Sequence, residues 1–498
     1  MRSKVKGFKG WWIIPLLLLS PASLVATSSD LDLVEAAEKG DRDTVRSLLK
    51  QLADVNVRQA DGATALHWAA HRDDLETADL LIGAGADLNS ANDYGITPLS
   101  LACTNGSAAM VEKLLRAGAN ANAVQQTEET AIMTAARTGN VEVVKLLLAH
   151  GAEVNGQETR RGQTALMWAV EQKRPEIARV LIEHGADVHA LSKRGFTPLL
   201  FAAQQGDLDS IRALLAAGVD VNEISSQWGS ALVAATARGH QALSLFLLEE
   251  GADPNTADGN GIAALHYAVL KGFAVLASAP AHLGVNSHFF RPSMMELVKA
   301  LLTGGANPNA RTGKQLRLRG NIGSPRVSMV GATPLLLASA AADPSLARLL
   351  IEGGADVRLA TELNMTPLMA AAGLAHRTDR PTKDEYRSAL EIAKLLVEGG
   401  ADVNAVGENG WTALHGAAYI GSDGIVQLLV DSGATVDVID DLEQTPWSIA
   451  EGLIGAGLVF FSYKPEGIHP GAAKLLLELG ADPMVVPELP EQYRQLSQ

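Results

Sequence analysis

The chain of 498 residues holds one cysteine, Cys103, which excludes an internal disulfide and a cysteine-built zinc framework. Cys103 stands at a small-residue position of TPLSLAC, where a thiol packs as a small apolar group. Positive charge is also short: 41 Lys and Arg face 56 Asp and Glu, for a formal net charge of -15. Non-specific nucleic-acid binding needs Lys and Arg to replace counterions on phosphate, so no nucleic-acid partner is expected. Catalytic groupings are missing as well, with no GxSxG, HExxH, CxxC or GxxxxGK in the chain. GLIGAG at 452–457 is glycine-rich, but it follows a helix start and its spacing does not suit a dinucleotide. The sequence reads as a binding protein and not as an enzyme, with no cofactor and no metal implied. After residue 29 no stretch is long and apolar enough to span a bilayer.

The N-terminus is different in kind. Arg2, Lys4, Lys6 and Lys9 precede an apolar run from Trp11 to Leu19, and small residues follow up to Ser29. This is the layout of a secretory signal covering residues 1–28, with cleavage after Ala26 or Ser28 and export to the periplasm or beyond the cell. The run is short for a membrane span and is interrupted by Pro15, so no stable span is expected after cleavage. Loss of those four basic residues would move the net charge from -15 to -19.

What the chain has in abundance is repetition. Thr64 recurs as Thr97, Thr130, Thr164, Thr197, Ser230 and Ala263, at steps of 33, 33, 34, 33, 33 and 33. The phase resumes at Thr333, Thr366, Thr412 and Thr445, and a degenerate first copy runs from Leu31. A fixed period of this size signals a stacked array whose units bury their apolar faces only against neighbours. Within a unit, Thr64 is placed to start a short helix, and Pro98, Pro198, Pro334, Pro367 and Pro446 suit the first turn of its counterparts. Ala69 and Ala70 keep that helix slim. Leu75, Ala78, Leu81 and Ile82 give a second helix its apolar stripe, and Gly85 stops it. Polar residues from Asp87 to Tyr94 suit a hairpin-like turn into the next copy.

The segments TALHWAA, TPLSLAC, TPLLFAA and TALHGAA, each followed by LLxxGAD-type endings, resemble ankyrin repeats, about twelve of them over residues 30–486. The resemblance implies an all-α solenoid of stacked helix pairs with hairpin fingers along one side. The chain divides into regular repeats at 30–271, an interrupted repeat with two insertions at 272–331, repeats with insertions at 332–486 and a tail at 487–498. In ankyrin arrays, partners meet the fingers and the exposed end of the first helix on the concave side. By that resemblance the partner-binding candidates are Tyr94 and Trp228 at finger tips, with His71, Arg72, Asn105, Arg137 and Gln205 after the small-residue pair. Trp68, Trp168, Phe201 and Tyr267 share one first-helix position and read as packing between repeats. His67, His266 and His415 match the ankyrin histidine that hydrogen-bonds within and between repeats, which favours a structural role over metal binding.

Four insertions break the period, and long excursions from a rigid scaffold are where binding loops tend to sit. Three fall between the two helices of the alternate copies that begin at Ala263, Thr366 and Thr445. They contain His282, His288, His376 and His469, and also Phe289, Phe290, Phe460, Phe461 and Tyr463. The alternative to protein binding is therefore a ligand or metal site beneath these C-terminal insertions. The fourth insertion lengthens a finger and carries Arg311, Lys314, Arg317, Arg319 and Arg326 without an acid among them. In an acidic chain this basic finger suits a protein partner with an acidic patch.

Overall fold

The computed structural model describes residues 28–270, 294–313, 329–374, 382–441, 443–452 and 469–483. Two compact units are present, one ending at Glu153 and the other beginning at Val154. Both are stacks of antiparallel helix pairs, and among the described residues there are isolated bridges but no strands.

The unit from Thr64 shows how the sequence dictates the pair. Its first helix, Ala65–His71, buries Leu66, Ala69 and Ala70 completely, and its second, Leu75–Gly83, buries Ala78 and Leu81. The alanines let the two helices approach, and each fully buried leucine contributes on the order of 2–5 kcal/mol against truncation to alanine. Asp74 caps the second helix through the amide of Thr77 at 3.2 Å, and Arg42 from the preceding copy donates to the same carboxylate at 3.0 Å. Gly85, at φ +87, turns the chain out of that helix.

First helices begin in two ways. In most copies whose fourth residue is not histidine, the hydroxyl at the helix start accepts from the backbone amide three residues on, as from Ser100 to Thr97 at 3.2 Å and from Leu200 to Thr197 at 3.3 Å, whereas Thr130 makes no such bond. In the other copies a histidine takes over. His67 Nδ1 accepts from the Thr64 amide at 3.1 Å, so Nε2 carries the proton and donates to the Ile96 carbonyl of the next copy at 3.0 Å. His266 and His415 repeat this, reaching Ala310 O at 3.0 Å and Gln444 O at 3.3 Å. All three are buried, and all three are structural pins between adjacent copies.

Between copies runs a ladder of asparagines. Asn56, Asn122, Asn155, Asn222, Asn255, Asn309 and Asn404 each donate to a glycine carbonyl of the following copy and accept from an amide two residues beyond that glycine. His189 and Arg358 replace asparagine at two rungs and turn instead to Glu223 and Asp356.

One insertion is partly helical where a loop was expected. Lys383–Glu398 is a continuous helix capped by Thr382, so Asp384 and Glu385 lie in its first turn, where acids complement the helix dipole.

Burial lowers the pKa of His266 to about 4 and shifts His67 and His415 the same way, because a proton on Nδ1 would face a backbone N–H. For a folded pKa below the unfolded value of about 6.5, the stabilisation is complete above pH 6.5 and is lost as pH falls towards the folded value. Moving from pH 7 to pH 5 should therefore remove on the order of 2 kcal/mol at His266 alone. Thermal melts at the two pH values should show His266→Gln with a smaller pH-dependent drop than the parent chain, and an equal drop would contradict this assignment.

Candidate functional site

The fingers are joined tip to tip by backbone hydrogen bonds. In the first unit the amide of Asp93 donates to Asp61 O at 2.9 Å and that of Gln126 to Tyr94 O at 3.4 Å. In the second, Lys193 donates to Arg161 O at 2.8 Å, Gly259 to Gln227 O at 3.1 Å, Glu362 to Val330 O at 3.0 Å and Asp441 to Asn409 O at 3.0 Å. Satisfying these backbone groups against one another leaves the tip side chains to face solvent.

Three first helices brace the finger that precedes them in the chain. Trp68 Nε1 donates to Gln59 at 2.9 Å, Tyr267 Oη to Asp258 at 2.8 Å, and Phe201 lies 5.1 Å from Phe196. These contacts tie a first helix to the finger that precedes it, across the boundary between copies for Trp68 and Tyr267. The aromatic body spans from helix to finger because the finger directly precedes the helix in the chain. Burial beside the Asp258 carboxylate raises the pKa of Tyr267, which holds its hydroxyl as a donor.

The two aromatic tips differ. Tyr94 is 64% exposed. Trp228 is half-buried, lies tilted against Phe196 with ring centres 4.5 Å apart, and donates its indole N–H to Arg194 O at 3.0 Å, the role a backbone amide plays between other fingers. Among the first-helix candidates, His71 is exposed and meets Trp68 edge-on, and Arg72 is exposed while donating to Glu38 O at 3.1 Å. Asn105 gives its amide to Ala70 O at 3.1 Å and His71 O at 2.7 Å, satisfying the carbonyl end of the neighbouring helix. Arg137 pairs with Glu129 at 3.3 Å, and Gln205 is half-buried.

Of the basic finger, Lys314, Arg317, Arg319 and Arg326 lie outside the described residues. Arg311 is exposed and donates to Ala360 O at 2.7 Å, as Arg58 does to Ala91 O at 2.6 Å, so its guanidinium helps join neighbouring fingers. The base of the insertion is closed: Thr312 donates its hydroxyl to Met329 O at 2.7 Å and its amide to Ala332 O at 3.1 Å.

His282, His288 and His376 and the insertion aromatics also lie outside the described residues. His469 precedes the helix Pro470–Glu478 and donates its amide to Ala450 O at 2.9 Å. Among the described residues no three His, Cys, Asp or Glu side chains converge as a metal site would require, and no helix is long and apolar enough to cross a membrane. Cys103 is buried, which pushes its thiol pKa up to about 12 and keeps it protonated.

Sequence alone treats the two tip aromatics alike, but their contacts separate them. Tyr94→Ala should change stability by no more than about 0.5 kcal/mol, and Trp228→Ala should cost about 1–3 kcal/mol, as read by urea denaturation. Equal losses would contradict the different roles assigned to the two rings.

A search of characterised proteins gives no match to this chain. Family models do match: a model of ankyrin repeats in groups of three covers residues 33–125, 101–192, 199–279 and 385–486, and a single ankyrin-repeat model covers 330–362. Those repeats are in general modules for protein–protein interaction, and with most of the chain covered and the stacked helix pairs in place, this protein belongs to the ankyrin-repeat family.

Proposed function

We propose that this chain is an exported scaffold that binds another protein through its finger and first-helix surface, with the basic finger insertion at 311–326 as a principal contact. The observation that carries the reading is the closed base of that insertion. Thr312 on one side and Met329 to Ala332 on the other are hydrogen-bonded to each other, so the two flanks of the insertion are held together. A cationic segment between those flanks, in a chain of net charge -15, is selective for a carboxylate-rich surface by charge complementarity. The neighbouring fingers add tip residues that are held in register by the backbone bonds between them.

Export rests on residues 1–28, whose basic, apolar and small-residue blocks follow the order of a secretory signal. The first described helix starts at Ser28, so cleavage after Ala26 leaves it whole.

Reversing charge with Arg317→Glu and Arg319→Glu should reduce capture of the partner from an envelope extract at least tenfold while leaving the melting temperature unchanged. Unchanged capture would remove the basic finger from the interface. Intact-mass measurement of the exported protein should give the chain beginning at Thr27 or Ser29, and an uncut chain would contradict cleavage.

A further inference from the structure

A second basic patch exists within the described residues. Arg160 and Arg161 end one finger, Lys193 and Arg194 end the next, and all four are exposed. Arg161 lies 3.8 Å from Glu171, and Arg160 and Arg194 pair with no carboxylate among the described residues.

The first of these fingers departs from the period. Eight positions separate Asn122 from Thr130 and Asn222 from Ser230, but nine separate Asn155 from Thr164, which is the source of the single 34-residue step. The extra residue widens the tip, and Glu158 closes it. Its buried carboxylate accepts from the amides of Arg160 at 2.6 Å, Arg161 at 2.7 Å and Gln163 at 3.0 Å. The one acid of this turn is thereby held inward by backbone donors, and the two guanidinium groups are left outward.

The patch is built as one edge. Lys193 donates its amide to Arg161 O and its ammonium to Thr159 O, and Trp228 donates its indole N–H to Arg194 O. Gly162, at φ +68, lies where an added Cβ would stand 3.0 Å from the Lys193 backbone nitrogen, so both the left-handed backbone and this close approach favour glycine. Apolar surface accompanies the charge: Leu191 is 59% exposed and Ile224 is 62% exposed on the same run of fingers.

We infer that the fingertips at Arg160, Arg161, Lys193 and Arg194, with Leu191 and Ile224 beside them, dock an extended acidic segment of the protein partner that mixes carboxylate and apolar side chains. This rests on the protein-binding reading above and names a second contact for it. Guanidinium groups bind carboxylates in a planar two-point fork, which fixes position as well as charge. Fingers about 10 Å apart match roughly three residues of an extended chain, so carboxylates spaced about three residues apart meet successive fingers. Leu191 and Ile224 favour a polypeptide over a polyphosphate, which has no apolar side chains to cover them.

The test is selection of 12-residue peptides from a random phage-displayed library on the full chain and on the variant Arg160→Glu, Arg161→Glu, Lys193→Glu, Arg194→Glu. A variant with Gln at all four positions, with circular dichroism and melting temperature matched to the parent, serves as the control for folding. The parent should enrich peptides mixing Asp or Glu with Leu, Ile or Phe, and both variants should bind the selected peptide at least tenfold more weakly. Raising NaCl should weaken parent binding as well. Enrichment of basic or neutral peptides, no enrichment, or equal binding by the variants would overturn the proposal. Preferential binding to phosphatidylglycerol vesicles or single-stranded DNA, or a dimer abolished by the charge reversal, would reassign the patch and overturn it too. If a photo-crosslinker at Tyr94 still captures a partner while the library yields no acidic peptides, this site fails and the protein-binding reading stands.

Discussion

Everything this chain displays depends on the hydrogen bonds that fix one copy against the next. The tip amides bond to tip carbonyls, the asparagine ladder joins the turns after the second helices, and His67, His266 and His415 pin first helices to the following finger. Each bond contributes only about 1 kcal/mol, but the buried groups it satisfies would be costly to leave unpaired. In an array whose units pack against their neighbours, such nearest-neighbour terms set the spacing of the fingers and with it the spacing of whatever they carry.

This regularity separates residues that hold the stack from residues it presents. Arg58 and Arg311 are positively charged tip residues whose guanidinium groups reach the next finger's carbonyl, and Asn105 satisfies a neighbouring helix end. Tyr94, His71, Arg160 and Arg194 extend into solvent from the same scaffold. Residue type alone does not sort these groups. What sorts them is whether a backbone carbonyl of the adjacent copy falls within reach.

The fold was legible because its determinants are local and repeated: the Thr start, the alanine pair, the leucine stripe and the glycine stop recur in phase. The site was legible only in outline. Trp228 looked like Tyr94 because nothing in the sequence shows that its indole replaces an inter-finger amide. The early start of the helix Lys383–Glu398, inside the insertion, was hidden because its first two turns are polar and lack the apolar stripe by which helices are read. The basic tips at 160–161 and 193–194 did leave a signal in the 34-residue step. Its meaning required seeing Glu158 turned inward onto three amides, since in the sequence that acid cancels one of the arginines beside it.

The central claim is that the fingers, and not the outer faces of the second helices, meet the partner. The most direct test places the photo-crosslinking residue p-benzoylphenylalanine at Tyr94 or Leu191 on fingers, and at Lys145 or Lys299 on second helices, all four being exposed. Irradiation of the full chain in its native compartment should give a covalent protein adduct from positions 94 and 191 and none from 145 and 299. Adducts confined to 145 and 299, or absent from all four, would contradict the account.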